Sequence, residues 1–509
     1  MSASRRGDEK KSGFNMPRSL IKVAPAVETE ADTLPEKKGI ETVSGGLQAP
    51  SSKSPPPVFP DDIPLHMRYR DKVSWWAILY RSVPDAIGIG GMKYAFNPAE
   101  VKWRRFSWLL LVMGAFGALT YQVVDRAQHF ASHPKSVDVS INYTAPITFP
   151  SVAICNYNTF RASLLSGTEL GEFLTTAATD PASLDMNDYY DLLTSTNMSH
   201  LMKNYAQELN LSVLFAKFGG SNIDIEANFS VALTEWGPCF IFNDANNGYP
   251  PATVERAGKA YGLELMLDVE QWEYFFGPFN RISAGFQILL YDYDSVPMVE
   301  DHGFGISPGT HSHVGIEVTD VNNLEPPFGS CEDKELKYFD HYGYAECDHE
   351  CKGDFYIEHC GCVPWAAPEN DSLVECNNWE LYTCVFPNSA LFVTNHTCDC
   401  PVPCSFRTYK PTVSTTQFPS TFWTNVYSAL YGFPAEVFPE NICYLSIYFQ
   451  EMSIQQINQQ VDYTFFSLLC DIGGSLGLWL GGSVLTVFEF CDLFSNSIYV
   501  YTKRVPNRF

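Results

Sequence analysis

Cysteine is missing from the first 154 residues and from the last 18, although the chain of 509 residues holds 15 of them. Basic side chains are also scarce: 33 Lys and Arg stand against 58 Asp and Glu, a net charge of −25, and no nucleic-acid partner is expected. Residues 1–60 contain no long apolar run, so no secretory leader is expected there. Their Pro, Ser, Lys and Glu content, with Pro55-Pro56-Pro57, lacks the apolar weight to pack and predicts a disordered tail. No catalytic constellation is present. The Gly-x-Ser-x-Gly pattern at Gly473–Gly477 lies inside an apolar stretch, not at a strand–turn–helix elbow. The cluster Ile87-Gly88-Ile89-Gly90-Gly91 lacks the spacing and downstream acid of a dinucleotide site. Neither an enzyme nor a cofactor is expected, and the glycine cluster reads instead as a re-entrant or juxtamembrane turn.

Charge is absent from Phe106 to Val124, and Asp471 is the single charge between Phe465 and Val487. Each run is long enough to cross a hydrocarbon core of about 30 Å as a helix. Residues 1–105 carry 17 basic and 12 acidic side chains, and Lys503, Arg504 and Arg508 close the chain. The 397 residues between hold 13 basic and 46 acidic ones, a net −33. Positive flanks at both outer ends place both termini in the cytoplasm and the middle outside a plasma membrane. Thirteen cysteines, Cys155 to Cys443, lie in that middle, as an oxidising exterior predicts. So do all six Asn-x-Ser/Thr sequons, at Asn142, Asn197, Asn210, Asn228, Asn370 and Asn395.

The second run is not an inert anchor. It carries Gly473, Gly474, Gly477, Gly481 and Gly482, each costing roughly 1 kcal/mol against Ala in a helix interior. Close helix packing is one reason for them, and backbone facing a water-filled lumen is the other. Ser475, Gly482 and Glu489 recur every seven residues, while Asp471 stands near one end and Glu489 and Asp492 near the other. Ionisable groups in a span face a bundle interior or an aqueous path, which favours a pore-lining helix.

In order, the chain divides into a disordered cytoplasmic tail (1–64), a juxtamembrane or gating segment (65–104), a first transmembrane helix (105–125), an extracellular domain (126–460), a second transmembrane helix (461–495) and a cytoplasmic tail (496–509). Residues 145–158 read as a strand entering the outer domain, 160–215 as polar helices, 223–318 as short strands, and 438–451 as a strand returning to the membrane. His311 and His313 would point the same way on a strand, as metal ligands do, but no third ligand is in view. A surface loop is expected there, and no metal. Ten cysteines between Cys331 and Cys404 read as a disulfide framework whose connectivity spacing alone leaves open.

These residues resemble the degenerin, epithelial sodium channel and acid-sensing ion channel family. The resemblance rests on Phe149-Pro-Ser-Val-Ala-Ile-Cys155-Asn156, on the cysteine block, and on Leu469-Cys-Asp471-Ile-Gly473-Gly474 running to Gly481-Gly482-Ser483, Leu485-Thr486 and Glu489. It implies a trimer of clenched-hand subunits, each with two transmembrane helices flanking a disulfide-rich α+β extracellular domain, around a sodium-selective pore blocked by amiloride. By motif, Gly481, Gly482 and Ser483 take the selectivity belt, with glycine departing at the centre. Glu489 and Asp492 match acidic residues that draw cations through the lower pore, and Asp471 and Ser475 line it above. Ser467 takes the small-residue gating position, and Gly88 the glycine of a His-Gly gating motif whose His is here Ile87. The implied disulfides are Cys155–Cys239, Cys331–Cys404, Cys347–Cys400, Cys351–Cys398, Cys360–Cys384 and Cys362–Cys376, with Cys443 left over.

The function expected is therefore a ligand-gated, amiloride-sensitive sodium channel of the plasma membrane, a homotrimer in a lipid bilayer. The acidic, aromatic-rich outer domain suits a cationic amidated neuropeptide of the FMRFamide type, by attraction and cation–π contact. The residues that would hold such a peptide are not legible. Proton gating is the alternative within the family, and a non-conducting receptor the alternative outside it.

Overall fold

The computed structural model describes residues 90–96, 100–279, 281–366, 373–395 and 398–504. The expected tail 1–64, the gating residue Gly88 and the sequon at Asn370 lie outside the described residues.

Two strands, each joined to an apolar helix, organise the rest. Helix α1 (Met92–Phe96) precedes α2 (Lys102–Ala131), which contains the expected first span and runs beyond both its ends. Three residues later β1 (Lys135–Tyr143) begins. At the other end of the outer domain β9 (Ile442–Val461) leads, after three residues, into α8 (Phe465–Leu480) and then α9 (Val484–Arg504). β1 and β9 pair antiparallel from Lys135↔Val461 to Tyr143↔Ser453, so both connections to the apolar helices leave one ladder side by side. Ring contacts close the corner, with His129 against Tyr463 at 5.1 Å and Phe130 against Phe465 at 6.3 Å.

β9 is longer than the sequence suggested because its two halves obey different rules. Its first half buries Ile442, Cys443, Leu445, Ile447 and Phe449. Its second half, Gln450–Val461, is polar and only half-buried, without the apolar alternation that marks a strand, and is held by hydrogen bonds to β1 and β7 (Thr310–Asn322). The larger, seven-stranded sheet orders β8 (Ser405–Gln417), β7, β9, β5 (Leu263–Asp268), β3 (Val213–Phe218) and Ser221–Asn222, with β1 on the lower part of β9. A five-stranded sheet contains β2 (Ser151–Asn156), β4 (Gly237–Phe242) and β6 (Phe286–Tyr291). Phe149, Ile154, Phe286 and Ile288 share one buried cluster with Leu263, Leu265, Ile316, Leu445 and Ile447, which joins the two sheets. Burying each such side chain contributes roughly 1.5–3 kcal/mol.

Short helices run from Ala162 to Ser212, including α3 (Glu169–Thr179) and α4 (Met198–Tyr205), around a second core of Phe160, Leu165, Phe173, Leu193 and Met198, and the expected helical stretch 160–215 ends there because β3 begins at Val213. The six disulfides join the pairs that the resemblance implies, and Cys443 is buried and free. Their ladder has a geometric cause. Cys347 and Cys351 lie one turn apart on α5 (Tyr344–Cys360), a rise of about 6 Å. Cys400 and Cys398 lie two residues apart on a segment that is neither helix nor strand, and two residues of chain reach at most about 7 Å. A C-x3-C helix and a C-x-C segment therefore match rung for rung.

One expectation is overturned here. His311 and His313 are not on a loop; both belong to β7, which the turn-like Ser307-Pro-Gly309 before it had obscured. The capping role of Asn197 was also not foreseen: its side chain accepts the amide of His200 at the start of α4 and donates to Glu375.

Candidate functional site

α2 is long and apolar enough to cross a membrane, and α8 with the first part of α9 passes the same test only as a bent pair. The bend is 80°. α8 is capped by Thr464, whose hydroxyl accepts the amide of Ser467 at 3.2 Å and lies 2.9 Å from the Ser467 hydroxyl. Ser467 is thus engaged in the helix cap. The helix ends at Gly481, which adopts φ +64°, a conformation that favours glycine, and the amides of Gly481 and Gly482 turn back to the carbonyls of Gly477 and Leu476. Ser483 then opens α9: its amide donates to the Thr486 hydroxyl at 3.0 Å and its carbonyl accepts the Thr486 amide at 2.9 Å.

Gly481, Gly482 and Ser483 are therefore a non-helical link between two helices, and the seven-residue face joining Ser475, Gly482 and Glu489 does not run continuously. No single helical rise of 1.5 Å per residue therefore connects Asp471 to Glu489. Sequence periodicity missed the break because glycine is silent about helix phase; the adjacent pair Gly481-Gly482 was the signal available. A Cβ on Gly473 or Gly474 would meet nothing within 4 Å in the chain itself, so their small size serves no contact among the described residues.

Asp471 accepts a hydrogen bond from the Tyr463 hydroxyl at 2.6 Å. With Ser475, Cys470, Gly474, Gln122, Asp125 and Arg126 it lines an open cavity of about 550 Å³ between α2 and α8. Deeper along the pair, the Trp479 indole N–H donates to Gln122 at 2.8 Å. Glu489 and Asp492 are exposed on α9, beyond the break. The carboxylates thus flank the link, one before it and two after. Gly90, from the glycine cluster, donates its amide to the Leu480 carbonyl at 3.0 Å, capping the end of α8 from the segment before α1. α1, which follows it, is fixed to α2 by Tyr94 against Trp108 and by Arg105 donating to the Ala95 carbonyl.

In the outer domain two neighbouring cavities, of about 490 and 380 Å³, share Glu235, Glu300, Trp365 and Phe386. Trp236 and Phe279 add to the first, and the Arg281 guanidinium lies 3.4 Å over the Trp236 ring. Across the core, Arg161 meets Glu273 at 3.3 Å, Glu208 at 3.6 Å and Glu270 at 3.7 Å. Asp268, just before them, accepts the Glu270 amide at 2.9 Å, and burial pushes its carboxyl up to about 6.

A family model described as amiloride-sensitive sodium channel matches residues 85–493. The chain is 28% identical over 430 residues to acid-sensing ion channel 1C of Danio rerio, covering 79% of this chain and 80% of that protein. It is 27% identical over 432 residues to acid-sensing ion channel 2 of Homo sapiens, covering 79% and 83%. The bile acid-sensitive ion channel of Rattus norvegicus is 28% identical over 419 residues, covering 78% and 84%.

Proposed function

The chain belongs to the amiloride-sensitive sodium channel family, and from that premise we propose that it forms a sodium-selective, amiloride-sensitive cation pore gated from outside a plasma membrane. The observation that carries the proposal is the break at Gly481–Ser483 between two apolar helices, with Asp471 before it and Glu489 and Asp492 after it. Non-helical backbone at membrane depth is tolerated where it lines a water-filled path, and its carbonyls and the Ser483 hydroxyl are oxygen ligands suited to a partly dehydrated cation. One chain does not enclose such a path. Open space beside Gly473 and Gly474, and the exposed apolar row Val137, Val139, Ile141 and Tyr143 on β1, support assembly with two further copies. In this reading α2 and the α8–α9 pair are the two spans and both termini are cytoplasmic.

Two stimuli have specific support. A peptide with aromatic side chains is supported by the cleft of Trp236, Phe279, Trp365 and Phe386 beside Glu235 and Glu300, in which Arg281 already lies over Trp236 and Lys352 pairs with Glu235. Protons are favoured by Asp268, whose carboxyl titrates near 6, and by the acid-sensing relatives. Expression in oocytes, with FMRFamide-type peptides and then acid applied under voltage clamp, separates them. Current to acid alone would remove the peptide reading, and current to peptide at constant pH would remove protons as the required stimulus.

A further inference from the structure

His311 and His313 form a matched pair that no pore role explains. Along β7 the side chains of Ser312, Val314 and Ile316 are buried, so His311 and His313 share the opposite face of the sheet. Their ring centroids are 3.8 Å apart. His311 Nε2 lies 2.9 Å from the Ser446 hydroxyl on β9, and His313 Nδ1 is buried without a hydrogen-bond partner. Such an orphaned nitrogen is destabilising unless something occupies it. Lys259 carries its positive charge close to both rings. An imidazole nitrogen offers its lone pair to a Lewis acid.

We propose that His311 and His313 are the protein ligands of a reversible transition-metal site, for zinc or copper(II), on this face of the larger sheet. Imidazole nitrogen suits these borderline ions, whereas calcium and magnesium require oxygen. Two side-chain ligands leave the remaining positions to water or the Ser446 hydroxyl, so the site is open and binds more weakly than a closed four-ligand structural site. Ser446 ties it to β9, the strand that leads into α8. Lys259 opposes a cation there, so its removal tightens binding.

The test uses the full-length protein in detergent, stripped with EDTA, with Cys470 and Cys491 replaced by serine to remove competing thiols, and titrated with zinc chloride alone. The expected result is one saturable zinc per chain, lost in His311→Gln/His313→Gln and tightened several-fold in Lys259→Gln. Copper(II) loaded in place of zinc is expected to show hyperfine coupling to imidazole nitrogen in its electron paramagnetic resonance spectrum. Equal zinc stoichiometry with and without the histidines, or a copper spectrum free of imidazole coupling in the protein that keeps them, overturns the assignment. The spectrum and the Lys259→Gln titration decide the question even where the double variant fails to fold.

Discussion

The amide of Gly90 donates a hydrogen bond of 3.0 Å to the carbonyl of Leu480, tying the segment before the first apolar helix to the last helical residue ahead of Gly481-Gly482-Ser483. Both partners are backbone groups, so a side-chain change alone spares the bond and loss of the N–H does not. Gly90→Pro is expected to alter open probability or sodium over potassium preference, with Gly90→Ala close to wild type. Single-channel recording with surface biotinylation checks this; two indistinguishable variants would detach the segment from the pore.

Glu489→Gln and Asp492→Asn remove negative charge beyond the break. Each is expected to lower single-channel sodium conductance, more at low ionic strength, because the charge concentrates cations at the inner mouth. Conductance equal to wild type in the double variant would show that these carboxylates do not face the path.

Ser467 stands in the first turn of α8 and shares the Thr464 cap. Three copies meeting near an axis in the closed channel would be strained by a large side chain, at about 1–3 kcal/mol per site, and each 1.4 kcal/mol moves the closed–open equilibrium tenfold. Ser467→Phe, or thiol modification of Ser467→Cys, is expected to give amiloride-sensitive current without ligand. The native thiol of Cys470 is exposed three residues on, so the thiol experiment needs a Cys470→Ser background. Verified labelling with no standing current would place the gate elsewhere.

The disulfide ladder predicts non-additive losses. Closing 53 residues by a lone Cys347–Cys400 bond is worth about 4 kcal/mol in the chain-entropy account, but with Cys351–Cys398 intact the remaining loop is short and the loss is about 2–3 kcal/mol. Paired Cys→Ser exchanges at one rung and then both are expected to lower the thermal midpoint more at the second step than at the first. Equal steps would contradict the ladder.

Asp268 predicts a pH dependence of stability. Its folded value, about 6, lies above its ordinary 3.8, so the folded state holds the proton more tightly. Its contribution to stability therefore grows as pH falls through about 6 and is complete below about 4. Asp268→Asn is expected to flatten the thermal midpoint over that window and, under the proton reading, to blunt acid-evoked current. A slope unchanged in the variant would remove Asp268 from both.

Motif carried much of this architecture, because the stretches Phe149–Asn156 and Leu469–Glu489 and the cysteine block pointed to the family and, through it, to the six disulfide pairs. What stayed illegible depended on registers that no local pattern encodes. The rungs Cys347–Cys400 and Cys351–Cys398 require knowing that one partner lies on a helix and the other on a segment outside helix and strand. His311 and His313 needed the parallel pairing of β7 with β9, and the polar half of β9 lacks the alternation that marks a strand. The bend at Gly481–Ser483 interrupts a periodicity that looked continuous, since Ser475, Gly482 and Glu489 keep seven-residue spacing across two helices that do not share an axis.

The account turns on whether cations pass the Gly481–Ser483 link. The direct measurement is the reversal potential of ligand-evoked current as external sodium is exchanged for potassium and then for a large organic cation, in wild type, Ser483→Cys and a Gly482 variant with a bulkier side chain, each with surface protein quantified. The account predicts inward current reversing near the sodium equilibrium potential in wild type, and a shift toward potassium permeability in variants that still reach the surface. Surface-labelled variants with unaltered ion preference, or surface-labelled wild type without cation current under any stimulus, would contradict it.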